Sequence, residues 1–100
     1  TLDEAMAMSQ FRITRLNFTS YGASFVHIGT DGRPVAPLYN YLKKYPEDIL
    51  GQFYAQYGPV EKFSQQTSSP ALGMLNSGLQ LYWLKYAKPA IFQKIHQSLH

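Results

Sequence analysis

One hundred residues, 45% of them hydrophobic, suffice for one small domain with a buried core and exclude a multidomain assembly. Charged residues make up 15%, below the roughly 25% of ordinary soluble chains, so aromatic side chains dominate the apolar mass. The net charge of +3 comes from Lys and Arg scattered from Arg12 to Lys94, too thin a distribution to make nucleic acid an expected partner. The absence of cysteine removes disulfides, thiolate nucleophiles and zinc-thiolate centres together, and favours a cytoplasmic location. No apolar run approaches the ~18–20 residues that span a bilayer, so a soluble chain with no membrane partner is expected.

In chain order, Leu2, Ala5, Met6 and Met8 read as the last turns of an amphipathic helix that begins upstream, and the end at His100 carries no helix stop; both suggest a segment of a longer chain. Apolar letters at Phe11, Ile13, Leu16 and Phe18 predict a strand over Arg12–Thr19. A second strand is expected over Ser24–Ile28. The Asp31-Gly32 pair then predicts a hairpin, because Gly accepts positive φ and the Asp carboxylate bonds nearby amides. The third strand, Pro34–Tyr41, would pair antiparallel with the second, its two prolines at a start or an edge.

Pro46-Glu47-Asp48 starts a helix, placing two carboxylates at the positive end of its dipole, and Gly58-Pro59 stops it. Ile49, Leu50, Phe53, Tyr54 and Tyr57 form one face of that helix. The polar tract Ser64–Pro70 reads as a loop. Leu72, Leu75, Leu79, Trp83 and Tyr86 then trace a stripe, with Met74, Leu81 and Leu84 on a second side, as in a buried helix. Pro89 opens a last helix that carries Ile91, Phe92, Ile95 and Leu99 inward.

Few residues suggest chemistry. His96 and His100 stand one helical turn apart but lack a third ligand, so no metal site is assigned. His27, among aromatics, reads as a packing residue. All the acids but Glu61 occupy helix ends and the hairpin turn, no nucleophile elbow occurs, and the isolated glycines build no phosphate cradle. What remains is the polar turn between the first two strands: Asn17, Thr19, Ser20, Tyr21, Gly22, Ala23 and Ser24. Small hydroxyls and bare backbone beside an aromatic suit a sugar, whose hydroxyls need partners while its C–H face stacks on a ring; an ordinary tight turn uses the same letters. Tyr39-Asn40-Tyr41 is a second polar-aromatic set that a curled hairpin could bring near.

Leu16 through Val26, then Thr30-Asp31-Gly32-Arg33-Pro34-Val35, and Leu38-Tyr39-Asn40-Tyr41 together resemble the N-terminal domain of FGGY-family carbohydrate kinases, of the ketose, rhamnulose and xylulose kinase type. Ser69-Pro70-Ala71-Leu72, Leu79 through Lys85, and Lys88-Pro89-Ala90-Ile91-Phe92 are similar to a helix pair of the same family. The resemblance spans about residues 10 to 100 and rests on the order and spacing of the motifs. It implies an α/β, mixed α+β, partial ribonuclease-H-like or actin-like domain, with an antiparallel β-hairpin sheet on three to four helices, residues 1–100 forming one incomplete domain.

The resemblance further implies an ATP-dependent, magnesium-dependent phosphotransferase whose small-molecule substrate is a ketose or deoxy-ketose. By position, the family's Trp-Gly falls on Tyr21-Gly22, its Val-Asp on Ala23-Ser24 and its Tyr-Arg-Asp on Tyr39-Asn40-Tyr41. Ser20, Tyr21, Gly22, Ala23, Ser24, Asn40 and Tyr41 are therefore the candidate sugar-binding residues, and the replaced charges imply neutral hydrogen bonds and stacking. The family's phosphate hairpin and catalytic acid have no counterpart here, so no catalytic residue is assigned and ATP and Mg2+ belong to the parent enzyme. Self-association through an exposed strand edge is expected of such a segment. The competing class is a non-catalytic, aromatic-rich glycan- or peptide-binding module.

Overall fold

The computed structural model describes residues 1–100. It is a small mixed α+β structure of five helices and a two-stranded antiparallel sheet: α1 (Leu2–Met6), β1 (Val26–Ile28), α2 (Glu47–Tyr57), α3 (Val60–Thr67), a 3₁₀ turn (Gly73–Leu75), α4 (Ser77–Ala87), α5 (Pro89–Phe92) and β2 (Gln97–Leu99). No helix is long and apolar enough to cross a membrane.

The radius of gyration, 17.9 Å, exceeds the roughly 13 Å of a compact chain this long, and the extents of 58 × 32 × 20 Å show why. Residues 1–22 form an arm whose side chains, apart from half-buried Ala5, are exposed. Thr1 caps α1 through a capping box with Glu4, which satisfies the first free amides of this short helix.

The strand expected over Arg12–Thr19 does not form. From Arg12 to Ser20 no backbone amide donates to another backbone group; Phe18 N bonds the Asn17 side chain instead. The alternation supplies an apolar face, but a strand needs a neighbour to complete its ladder, and here none lies alongside.

The second strand appears as β1. Its Asp31-Gly32 turn is made as the letters predict, with Gly32 at φ 76°, Asp31 Oδ1 accepting from Arg33 N, and Gly29 N donating to Arg33 O at 2.9 Å. The third strand shrinks to one bridge, Ile28 to Pro34, plus Val35 N donating to His27 O at 2.9 Å. Pro34 and Pro37 cannot donate, and the ladder stops there. A hairpin sheet is thus replaced by a pairing of β1 with β2, in register Val26–Leu99, His27–Ser98 and Ile28–Gln97. The last helix is correspondingly short: α5 ends at Phe92, and His96 N, donating to Ile28 O at 2.8 Å, opens the ladder.

α2 starts after Pro46 with Glu47 and Asp48 in its first turn and ends at Gly58, whose φ of 108° only glycine adopts readily. The tract expected as a loop is largely α3. Pro59 and Glu61 favour its start, Gln65 and Gln66 are good helix formers, and Phe63 packs edge-on against Phe53 at 5.1 Å. It ends at Ser68, left-handed at φ 52°.

The helix expected from the apolar stripe forms only from Ser77, after the 3₁₀ turn, and is buried on one side: α4 buries Leu79, Gln80 and Leu84, whereas Leu72, Leu75 and Tyr86 of the stripe are exposed. Tyr45, Ile49, Met74 and Leu79 form the core, with Tyr39, Tyr41, Phe53, Tyr82 and Trp83 packed around it. The Tyr45 hydroxyl donates to Leu79 O at 2.9 Å, which ties the segment before α2 to the first turn of α4.

Candidate functional site

The residues from Thr19 to Ser24 lie where the exposed arm meets the folded body. Ser24 N donates to Tyr21 O at 3.1 Å and closes a tight turn over Gly22 and Ala23. Tyr21 is 77% exposed, whereas Ala23 is buried, so the turn presents an aromatic ring outward from a fixed base. Thr19, Ser20 and Tyr21 line a shallow hollow of about 240 Å3. A methyl group on Gly22 would meet nothing within 4 Å, so the backbone there is open to approach.

The base of the turn is held from α4. Gln80, 1% exposed, directs Nε2 to Ala23 O at 2.6 Å and to Met74 O at 2.5 Å. Both partners are acceptors, which fixes the amide orientation because only the NH2 end can face them. Asn76 braces the adjoining loop: Oδ1 accepts from Leu72 N at 2.6 Å, and Nδ2 donates to Ser69 Oγ at 3.1 Å and Pro70 O at 3.0 Å.

The second candidate set is placed differently. Asn40 is exposed and its Oδ1 accepts from Leu42 N at 2.9 Å, so it organises its own turn. Tyr41 is half-buried against the core, and no hydrogen bond joins either residue to the Tyr21 turn. Tyr39 meets Trp83 edge-on at 4.9 Å, so the segment docks on α4 beside the core. Among the seven candidates, Ser20, Tyr21, Gly22, Ala23 and Ser24 are contiguous in space and Asn40 and Tyr41 stand apart.

Beneath the turn, Phe25 and His27 project from β1 and its approach. His27 is 1% exposed, its Nδ1 lies 2.9 Å from Ser98 Oγ, and its Nε2 is buried without a partner. Burial pushes its pKa below the usual histidine value, because the charged form would lose water without gaining a counter-ion. The His96 and His100 pair is not on a helical face as expected. His96 supplies its amide to the ladder, and the His100 ring packs on Phe25 at 4.3 Å. No group of three His, Cys, Asp or Glu side chains that could hold a metal ion forms.

A larger hollow, about 620 Å3, runs along α2, α3 and α4, walled by Phe53, Tyr54, Phe63, Leu75 and Tyr82 with Lys85 its single charged residue. Neither this hollow nor Gln80 stands out in the letters as a site. The available signal for Gln80 was a lone amide between Leu79 and Leu81, four residues before Leu84, on a helix otherwise apolar there.

Comparison with family models, curated proteins and solved structures finds no match for the chain.

Proposed function

We propose that this chain is the sugar-binding part of an ATP-dependent carbohydrate kinase acting on a ketose or deoxy-ketose. The observation that carries the reading is the Tyr21 turn: an outward aromatic flanked by Ser20 and Ser24, on open backbone at Gly22, with its base fixed to α4. The ordered motifs of residues 16–41 and 69–92 supply the rest of the support.

In this reading the Tyr21 ring stacks on the C–H face of the sugar, while Ser20 and Ser24 hydroxyls and the Gly22 amide meet its hydroxyl groups. Ala23 contributes backbone, since its side chain is buried. Asn40 and Tyr41 stand apart from this turn, Asn40 bonding Leu42 N and Tyr41 packing on the core, and reach the sugar only if the two segments approach each other. None of these groups is charged, so affinity comes from neutral hydrogen bonds and stacking and is modest, with little dependence on salt.

ATP and Mg2+ do not fit the residues of this chain. The left-handed glycines, Gly32, Gly58 and Gly73, sit in separate turns and form no continuous amide cradle, and no carboxylates cluster. Phosphoryl transfer is assigned to other parts of the parent enzyme, and no step is attributed to this segment. The test is ketose-dependent ADP formation by the full reading frame containing the segment, across ketopentoses, ketohexoses and 6-deoxy-ketoses. Turnover of one of these establishes the enzyme and its sugar; no turnover on the whole panel refutes the reading.

A second reading, a non-catalytic glycan- or peptide-binding module, is favoured by the aromatic hollow beside Phe53 and Tyr82. Phe63→Ala separates the two: it abolishes binding in a module of that kind and spares sugar binding at the Tyr21 turn.

A further inference from the structure

We infer that Gln80 is a positioning residue for the Tyr21 turn: its buried amide clamps two backbone carbonyls and so holds the candidate sugar site and the Met74 loop as one rigid unit. The assignment of that turn to sugars rests on the function proposed above; the clamp itself does not.

The argument begins with cost. A primary amide taken fully out of water is unfavourable unless its donors are used, and a helix position that touches the core is otherwise filled by an apolar side chain. Gln80 meets this condition on both N–H bonds, to Ala23 O at 2.6 Å and Met74 O at 2.5 Å. The first partner is 57 positions away and the second only 6, so one side chain connects the turn with a loop near the start of α4.

Geometry gives the clamp its purpose. The arm up to Ser20 makes no backbone ladder, so the turn receives no support from its N-terminal side. On its other side β1 begins only at Val26. Between them, the Ser24 N to Tyr21 O bond closes the turn on itself, and the Gln80 bond to Ala23 O is what secures it to a helix. The second half of the clamp is equally anchored, because Met74 is 3% exposed within the core and the loop before it is braced by Asn76. A ring as exposed as Tyr21 can hold one orientation only if its backbone is fixed from below, and pre-organisation of this kind raises affinity by removing the ordering cost of binding.

The test needs two measurements on the full chain. In the wild-type protein, side-chain nuclear magnetic resonance should show the Gln80 Nε2 protons protected from solvent exchange, with scalar couplings to the Ala23 and Met74 carbonyl carbons; exchange at the rate of a free glutamine overturns the clamp without any variant being made. Gln80→Met then keeps side-chain length and helix propensity while removing both donors. Its amide exchange should quicken by about tenfold or more over residues 19–25 with α2 unaffected, whereas Phe63→Leu, a packing change on α3, should leave the turn unchanged. Uniform acceleration, or the same turn effect in both variants, overturns the inference.

Ketose affinity, titrated with D-xylulose, L-ribulose, D-fructose and L-rhamnulose, separates the two claims. Weakening by about tenfold in Gln80→Met and not in Phe63→Leu supports the positioning role at a sugar site. A wild-type chain that binds none of the four sugars while its turn still depends on Gln80 refutes the sugar reading and retains the clamp.

Discussion

His27 and Ser98 face each other across the β1–β2 pair, with Nδ1 and Oγ 2.9 Å apart, although 71 positions separate them in the chain. The contact satisfies one ring nitrogen and leaves Nε2 buried with no acceptor, a combination that tolerates neutral imidazole and opposes the imidazolium.

The sign of the resulting pH dependence follows from the lowered pKa of His27 in the folded state. Between that lowered pKa and the ordinary value of about 6.5, the unfolded chain binds the proton and the folded chain does not, so stability rises with pH through this window. Acidification below about pH 6.5 should therefore lower the melting temperature well before carboxylates titrate. Melting curves between pH 5 and 8 test it, and His27→Gln should flatten the profile there; an unchanged slope in that variant removes His27 as the cause.

Tyr45 offers a test of the core. Removal of its hydroxyl in Tyr45→Phe deletes one hydrogen bond, to Leu79 O, and should cost about 1 kcal/mol. Tyr45→Ala also opens a cavity at a position only 5% exposed and should cost roughly 3–5 kcal/mol. Urea denaturation gives both values, and equal losses would show that the ring contributes nothing beyond its hydroxyl.

Two glycines should respond to alanine with opposite signs. Gly73 sits at φ 60°, and an added Cβ would lie 3.1 Å from the Cβ of Tyr45, so Gly73→Ala should destabilise by about 1–2 kcal/mol. Gly51 lies inside α2 with nothing within 4 Å of an added Cβ, so Gly51→Ala should stabilise by about 0.5–1 kcal/mol. Calorimetry on both variants checks the two signs, and a stabilised Gly73→Ala or a destabilised Gly51→Ala would contradict them.

At the Tyr21 turn the prediction concerns binding and not folding. With the ring 77% exposed, Tyr21→Ala should leave stability within about 0.5 kcal/mol of wild type. On the proposed function it should weaken ketose binding about tenfold, through loss of stacking. Unchanged affinity in this variant would take Tyr21 out of the site.

What could be read from the letters depended on how local the cause was. The limits of α2 follow from Pro46 and Gly58, and the Asp31-Gly32 turn from two adjacent residues, so both were legible. The polar letters of Ser64–Pro70 concealed α3, because Gln65 and Gln66 serve a solvated helix as well as a loop, and Phe63 alone marked its packed side. Ile95 and Leu99 keep helical spacing, which masks β2, whose strand character depends on β1, far away in sequence. The reverse error occurred at Arg12–Thr19, where β-forming letters lack a partner. At the site, the turn itself was legible from Tyr21-Gly22. Gln80 was not, since the worth of a buried amide depends on the carbonyls brought to it by the fold.

The pairing of Val26–Ile28 with Gln97–Leu99 has a kinetic meaning as well. It closes almost the whole folded body into a loop, and the Phe25 and His100 rings meet at 4.3 Å where the circle shuts. Closure entropy grows with the logarithm of loop length, so helices α2 to α4, built from near neighbours, have every reason to assemble first. The sheet then acts as a clasp, fastened late in folding and released early, while the Tyr21 turn beside it stays tied to α4 through Gln80.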